Sequence, residues 1–167
     1  MKIKKLVLTA LFIALSFVGA MIKVPGTTIA FDSMPGFLGA ILLGPLYGAL
    51  IGALGHFLTA VTSGFPLTMP VHLIIMVGMG LTMFIFGYVF KYFLSKNYRL
   101  AIVISLIVAV LINGPLLTLA LSPLLIPILG KTLLLGMIPL LSGIAALNII
   151  MAQCIYKFLP ARYKLWK

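Results

Sequence analysis

Apolar residues form six long runs along the chain, and short stretches of Pro, Gly and charged residues separate them. The runs cover residues 6–22, 29–43, 45–62, 70–90, 100–121 and 132–159. A helix needs about 20 apolar residues to cross the ~30 Å of hydrocarbon in a bilayer, and every backbone amide in lipid needs an internal partner. The pattern therefore predicts an all-α, polytopic membrane protein with six transmembrane helices.

The second and third runs are predicted to be separate helices that break at Gly44-Pro45, although residues 29–62 are slightly short for two crossings. Short cytoplasmic loops are enriched in Lys and Arg, so the basic segments 2–5 and 91–99 are both predicted to be cytoplasmic. An even number of crossings must lie between them, and four crossings require a short second helix. Two further crossings bring the basic C-terminus back, so both termini are predicted to be cytoplasmic. Residues 24–35, 63–69 and 122–131 then form outer loops.

Composition agrees with this class and limits the number of domains. The chain is 63% apolar and 8% charged, whereas soluble domains have about 45–50% and about 25%. Its 167 residues leave no room for a separate soluble domain, so we predict one membrane domain over residues 1–167. The basic start before an apolar run also resembles a signal peptide, but the run is long for one and we interpret it as an uncleaved first span.

The net charge of +11 raises the question of a nucleic-acid partner. Basic residues lie at the ends of the spans, however, and not in a patch with interleaved aromatic residues. We therefore predict no nucleic-acid binding and take the charge as a topology signal.

Small residues at a spacing of four mark two of the runs. On the third run they include Gly48, Gly52 and Ala60, a pattern that lets helix backbones approach closely in lipid. On the first run Ala10 and Ala14 form a shorter patch, for which packing inside the protein is the simplest interpretation.

Asp32 is the only carboxylate side chain in the chain. The six-span prediction places it on the outer face at the start of the second helix, with Pro35 in the first turn. A carboxylate accepts two hydrogen bonds at once, which suits the vicinal hydroxyls of a sugar. The structural alternative is a salt bridge to Lys23 or Lys131 that anchors the loop.

Polar side chains within the spans are the remaining candidates, because such groups face the protein interior or an aqueous cavity. His56, His72, Asn113 and Asn148 could line an outward-opening pocket together with Asp32. The structural alternatives are hydrogen bonds between helices for His56 and Asn148, a helix cap for His72, and pairing of a carbonyl freed by the proline at position 115 for Asn113.

Phe31 and Phe65, in the predicted outer loops, are the candidates to stack on a flat ligand. Packing is the alternative for both.

Several chemistries have no support in the sequence. No Gly-rich phosphate loop, zinc-protease motif or serine nucleophile elbow is present. A single cysteine, Cys154, excludes an intrachain disulfide and a Cys-only metal cluster. One carboxylate is also too few for a convincing proton or sodium site. We predict no enzyme activity, no cofactor and no metal, and a partner that supplies the energy for any transport.

Two segments carry a resemblance to a known family. Phe31-Asp32-Ser33-Met34-Pro35-Gly36-Phe37-Leu38-Gly39-Ala40 and Gly55-His56-Phe57-Leu58-Thr59-Ala60, with basic termini and the Ala10-xxx-Ala14 spacing, resemble the substrate-binding subunits (S components) of energy-coupling-factor (ECF) vitamin transporters. Within that family the chain is most similar to the α-ribazole transporters.

The resemblance implies a subunit in the bacterial plasma membrane that captures a vitamin or its precursor from outside. Such a subunit docks on a shared module made of a transmembrane coupling protein and two ATPases. Ala10 and Ala14 would face the coupling protein. The implied substrate pocket lies near the outer face, and its candidate residues in this sequence are Asp32, Phe31, Ser33, His56, Phe65, His72, Asn113 and Asn148.

α-Ribazole is a dimethylbenzimidazole joined to a ribose, so it calls for an apolar slot and acceptors for sugar hydroxyls. Another vitamin or precursor, such as a thiazole or cobalamin, remains an alternative substrate. A structural or regulatory membrane protein with no small-molecule ligand is the alternative from a different class.

Overall fold

The structure, a computed structural model, describes residues 2–23 and 26–163. These residues are almost entirely helical, and their only β-type pairing is a bridge between Lys23 and Ala30. The all-α class is thus confirmed. The α-helices are α1 (Lys2–Gly19), α2 (Met34–Leu42), α3 (Pro45–Thr62), α4 (Met69–Leu94), α5 (Tyr98–Leu111), α6 (Leu117–Ala120), α7 (Ser122–Leu129) and α8 (Lys131–Phe158). A π-helical turn, Ile112–Leu116, joins α5 to α6, and a 3₁₀ turn, Ala161–Tyr163, follows α8.

Four segments of the described chain are long and apolar enough to cross a membrane. They are α3, α4, the continuous segment Tyr98–Ala120 and α8. Helix α1 has 18 residues, but three of its first four residues are lysines. Helix α2 has nine residues and extends about 14 Å, roughly half of the hydrocarbon thickness. Six crossings and two cytoplasmic termini remain predictions.

Helix α2 lies among four other helices, packing against α1, α3, α4 and α8. Residues 35–42 are all buried, and the Phe37 ring contacts the Phe86 ring edge-on with centroids 5.0 Å apart. Just beyond the helix, the Leu43 carbonyl accepts a hydrogen bond of 2.9 Å from Lys5 Nζ. Because protein surrounds α2, a helix this short can end inside the bundle without leaving its last carbonyls unpaired.

Small residues let α3 approach its neighbours closely, as its spacing predicts. A Cβ added to Gly48 would collide with the backbone of Ala40 on α2. A Cβ added to Gly52 would collide with the Met83 side chain on α4.

Two segments differ from the predicted pattern. Residues 29–33 are not helical, so α2 begins at Met34, five residues after the start of the second apolar run. Residues 122–131 were expected to form a loop, yet most of them form α7. Proline at the start of α7 and glycine at its end fit its bounds, because proline suits a first helical turn and Gly130 adopts a positive φ of 78°.

The π-helical turn changes the course of the fifth run. Pro115 lacks a backbone N–H, which removes one α-helical hydrogen bond and favours a local widening. Gly114 lets Ser142 of α8 approach closely, and Thr118 Oγ1 donates to the Gly114 carbonyl at 2.6 Å. The turn leaves Asn113 in the wall of a cavity.

Candidate functional site

A cavity of about 490 Å³ lies between the 26–33 loop, the loop between α3 and α4, the chain from the π turn to α7, and the first half of α8. This volume is within the ~300–1,000 Å³ range of small-molecule sites. The cavity is the candidate functional site.

The wall of the cavity is mostly apolar, with a few polar side chains. Nine leucines line it: Leu67, Leu117, Leu121, Leu125, Leu129, Leu133, Leu134, Leu140 and Leu141. The polar lining residues are Thr27, Thr28, Asp32, Ser33, His56, Asn113, Thr118 and Asn148. Among the described residues, no Phe, Tyr or Trp is part of this wall. Such a wall fits a ligand with an apolar body and a small number of polar groups.

Asp32 is a buried carboxyl in this wall, with 5% of its surface exposed. Ser33 Oγ donates to Oδ1 at 2.9 Å, and Thr59 Oγ1 lies 2.6 Å from Oδ2. Burial raises the pKa of Asp32 from 3.8 to about 6, against the opposing effect of the Thr59 and Ser33 hydrogen bonds. Since two carboxylate oxygens offer about four acceptor positions, Asp32 keeps capacity to bind a ligand.

Asp32 forms no salt bridge with Lys23 or Lys131, both of which the structure describes. Lys23 Nζ donates instead to Ser63 Oγ at 2.7 Å, and the loop-anchor alternative for Asp32 is therefore wrong in that form. Asp32 also precedes α2 by two residues and does not lie in its first turn, where it was predicted; Pro35 does lie in that turn.

His56 and His72 form a buried pair between α3 and α4. His56 Nδ1 is 4.0 Å from Asp32 Oδ2, and its Nε2 is 3.4 Å from His72 Nδ1. His72 is fully buried, and its Nε2 has no hydrogen-bond partner within the described chain. His72 thus lies behind His56 and does not cap α4.

Comparison with protein-family models matches residues 4–161 to the family described as ECF transporter, substrate-specific component. The chain belongs to this family. No curated protein and no solved structure matches it. It is therefore a substrate-binding subunit of an ECF transporter, a multi-pass membrane protein whose family implies a small-molecule substrate and an ECF module as partner. The family is one of transporter components, not of enzymes.

The structure brings together some of the predicted site residues of this substrate-specific component. Asp32, Ser33, His56, Asn113 and Asn148 line the cavity. They come from the α1–α2 loop, α3, the π turn and α8. Residues far apart in the sequence therefore meet at one wall.

Phe31, Phe65 and His72 are not part of the cavity wall. Phe31 is half-buried next to Asp32. The Phe65 ring packs against those of Phe57 and His72, at centroid distances of 6.3 and 5.9 Å. Sequence reasoning missed the leucine wall, because a leucine that faces a cavity and one that faces lipid look alike in the sequence.

Ala10 and Ala14 are both exposed on α1. Exposed apolar residues surround them, among them Leu11 and Val18, which are 54% and 62% exposed. The substrate-specific component thus presents an exposed apolar face on this helix, in which Ala10 and Ala14 are the small side chains.

Proposed function

We propose that this substrate-specific component captures α-ribazole, a cobalamin precursor, from the outer side of the bacterial plasma membrane. One observation carries the proposal: the cavity wall is apolar apart from a few polar groups, and one of these is a buried carboxyl with spare acceptor capacity. The dimethylbenzimidazole ring suits the leucine wall. The ribose hydroxyls suit Asp32, because an ionised carboxylate accepts strong hydrogen bonds from hydroxyls.

In the proposed complex, the polar and apolar parts of the ligand contact different residues of the wall. Asp32 accepts hydrogen bonds from the ribose, and Ser33, His56 and Asn113 reach other polar atoms of the ligand from the same wall. Leucine side chains take the ring faces in place of an aromatic stack. Phe31, Phe65 and His72 lie outside the wall and support it: the His72 ring packs against that of His56, and the Phe65 ring packs against that of His72.

The rest of the transport cycle requires a partner. We propose that Ala10 and Ala14 contact the transmembrane coupling protein of an ECF module with two ATPases, since small exposed residues permit close helix approach in lipid. The cavity would then face outward, with both termini in the cytoplasm. The whole chain would act as one membrane domain.

Calorimetric titration of the ligand-free protein in detergent tests the proposal. Wild type should bind α-ribazole saturably. Asp32→Ala should weaken binding by roughly 100-fold, since a hydrogen bond to a charged group contributes ~1.5–3 kcal/mol. Thr62→Ala is the matched control, because Thr62 is exposed on α3 and outside the wall; it should bind like wild type.

Two results would contradict the substrate assignment. The first is the absence of saturable α-ribazole binding to wild type. The second is tighter binding of a thiazole precursor or of cobalamin in the same titration. If leucine side chains take the faces of the ligand ring, Phe31→Ala and Phe65→Ala should each change α-ribazole affinity less than Asp32→Ala does.

A further inference from the structure

We infer that Asn148 is a positioning residue, which holds the Asp32 segment in its binding conformation and does not itself bind the ligand. Its side chain is 1% exposed on α8. Asn148 Oδ1 accepts from the Met34 backbone N–H at 2.8 Å, and Nδ2 donates to the Ala30 carbonyl at 3.4 Å. Ala30 and Met34 lie two residues on either side of Asp32. One amide therefore holds both ends of the segment that carries the carboxyl.

The hydrogen-bonding capacity of Asn148 is almost fully used. A side-chain amide has two N–H donors and one carbonyl oxygen. The second N–H of Asn148 donates to the Ile144 carbonyl at 2.9 Å, so only one lone pair on Oδ1 remains. Asn113 differs: it is half-buried in the same wall, and its side chain makes no hydrogen bond to the described residues. Asn113 is thus the amide that is free for a ligand.

Asn148 also replaces a missing helix cap. Ser33 precedes α2 but makes no side-chain cap, and its hydroxyl donates to Asp32. The Met34 N–H would be an unpaired donor at the helix start without Asn148. Loss of the amide would free Met34 and leave Ala30 with its backbone bridge to Lys23. The Asp32 carboxyl would then gain water and lose its fixed direction.

The inference rests on the proposed function only in that Asp32 binds the ligand. A double-mutant cycle therefore tests it: Asn148→Leu and the control Asn113→Leu are each combined with Asp32→Ala, and α-ribazole affinity is measured for all variants. If Asn148 acts through Asp32, Asn148→Leu weakens binding at least 10-fold alone and less than 2-fold in the Asp32→Ala background. Asn113→Leu weakens binding by the same factor in both backgrounds.

The pH profile of affinity separates positioning from general loss of structure. Besides Asp32, the titratable groups of the described residues close to the segment are Lys23, whose backbone is bridged to Ala30, His56 on α3 and His72 behind it. Wild-type affinity should fall as pH decreases through about 6, where Asp32 gains its proton. In Asn148→Leu the fall should move to lower pH, because a hydrated carboxyl titrates nearer its ordinary pKa. Asn113→Leu should not change the pH at which affinity falls.

Hydrogen exchange without ligand keeps the inference testable if α-ribazole is not the substrate. Peptides covering residues 29–36 should exchange at least 10-fold faster in Asn148→Leu than in wild type or Asn113→Leu. Unchanged exchange would overturn the inference, as would an Asn148→Leu effect on affinity that is equal in both backgrounds. If Asn148→Leu does not fold, Asn148→Ala, which removes the same three hydrogen bonds without adding a charge or a larger side chain, takes its place in the same measurements. If wild type does not bind α-ribazole, only the substrate assignment is overturned. Hydrogen exchange then decides the role of Asn148.

Discussion

Replacement of Asp32 by asparagine should stabilise the ligand-free protein at neutral pH while weakening ligand binding. The carboxyl is buried, and its pKa is raised from 3.8 to about 6. Asparagine keeps the local bonds, since its oxygen accepts from Ser33 and its N–H₂ donates to Thr59, whose hydroxyl then donates to the Gly55 carbonyl 3.0 Å away. The substitution removes only the cost of a buried charge.

The magnitude follows from the pKa of Asp32 in the folded and unfolded states. Between pH 3.8 and about 6 the folded state holds the proton more tightly than the unfolded state does. The contribution of Asp32 to the free energy of unfolding of wild type therefore decreases as pH rises through this interval and is level above it. At about 1.4 kcal/mol per pH unit, the total loss is ~3 kcal/mol.

The assay is equilibrium unfolding of both proteins in mixed micelles, followed by circular dichroism from pH 3.5 to 8. The stability of Asp32→Asn relative to wild type should increase by ~3 kcal/mol across the series. His56 and His72 are present in both proteins, so their direct contribution cancels in the difference. The same comparison in the His56→Gln background shows whether His56, whose Nδ1 is 4.0 Å from Asp32 Oδ2, alters the result. A difference that stays constant with pH would refute the reasoning.

Three further changes test packing, the cavity and the partner surface. Gly48→Ala should destabilise the protein by about 1–3 kcal/mol in thermal unfolding, because the added methyl meets the backbone of α2; Gly136→Ala, with no atom within 4 Å of the added Cβ, should not. Leu141→Trp should lower ligand affinity at least 10-fold by filling the cavity, whereas Leu147→Trp, outside its wall, should not; equal titration curves would contradict the assigned wall. Ala14→Leu should reduce uptake in cells without changing ligand affinity, and normal uptake would argue against a contact there.

Local backbone chemistry made the boundary between α2 and α3 predictable. The break at Gly44-Pro45 is confirmed, because α2 ends at Leu42 and α3 begins at Pro45. Gly44 has a φ of 120°, which a side chain would strain, and proline fits a first helical turn. Such signals are carried by one or two residues and need no tertiary context.

The short α2 and the cavity depend on distant contacts and were not predictable. Residues 29–33 are mostly small or apolar and continue the pattern of the second run. Their non-helical path is held by the Phe31 N–H, which donates to the Ile22 carbonyl at 3.1 Å, and by Asn148, more than a hundred positions away, which bonds to Ala30 and to Met34. The sequence identified Asp32 as exceptional by its chemistry alone, while its hydrogen bond with Thr59 and the leucine wall depend on how the helices are assembled.

Native mass spectrometry of the purified protein tests the central claim most directly, namely that the cavity holds a small-molecule substrate at Asp32. The wild-type protein should carry a non-covalent adduct with the mass of α-ribazole, either from the cell or after addition of the compound. Asp32→Ala should carry little or none under the same conditions. A wild-type protein that remains without any adduct in the presence of α-ribazole, or an adduct that Asp32→Ala retains fully, would contradict the account.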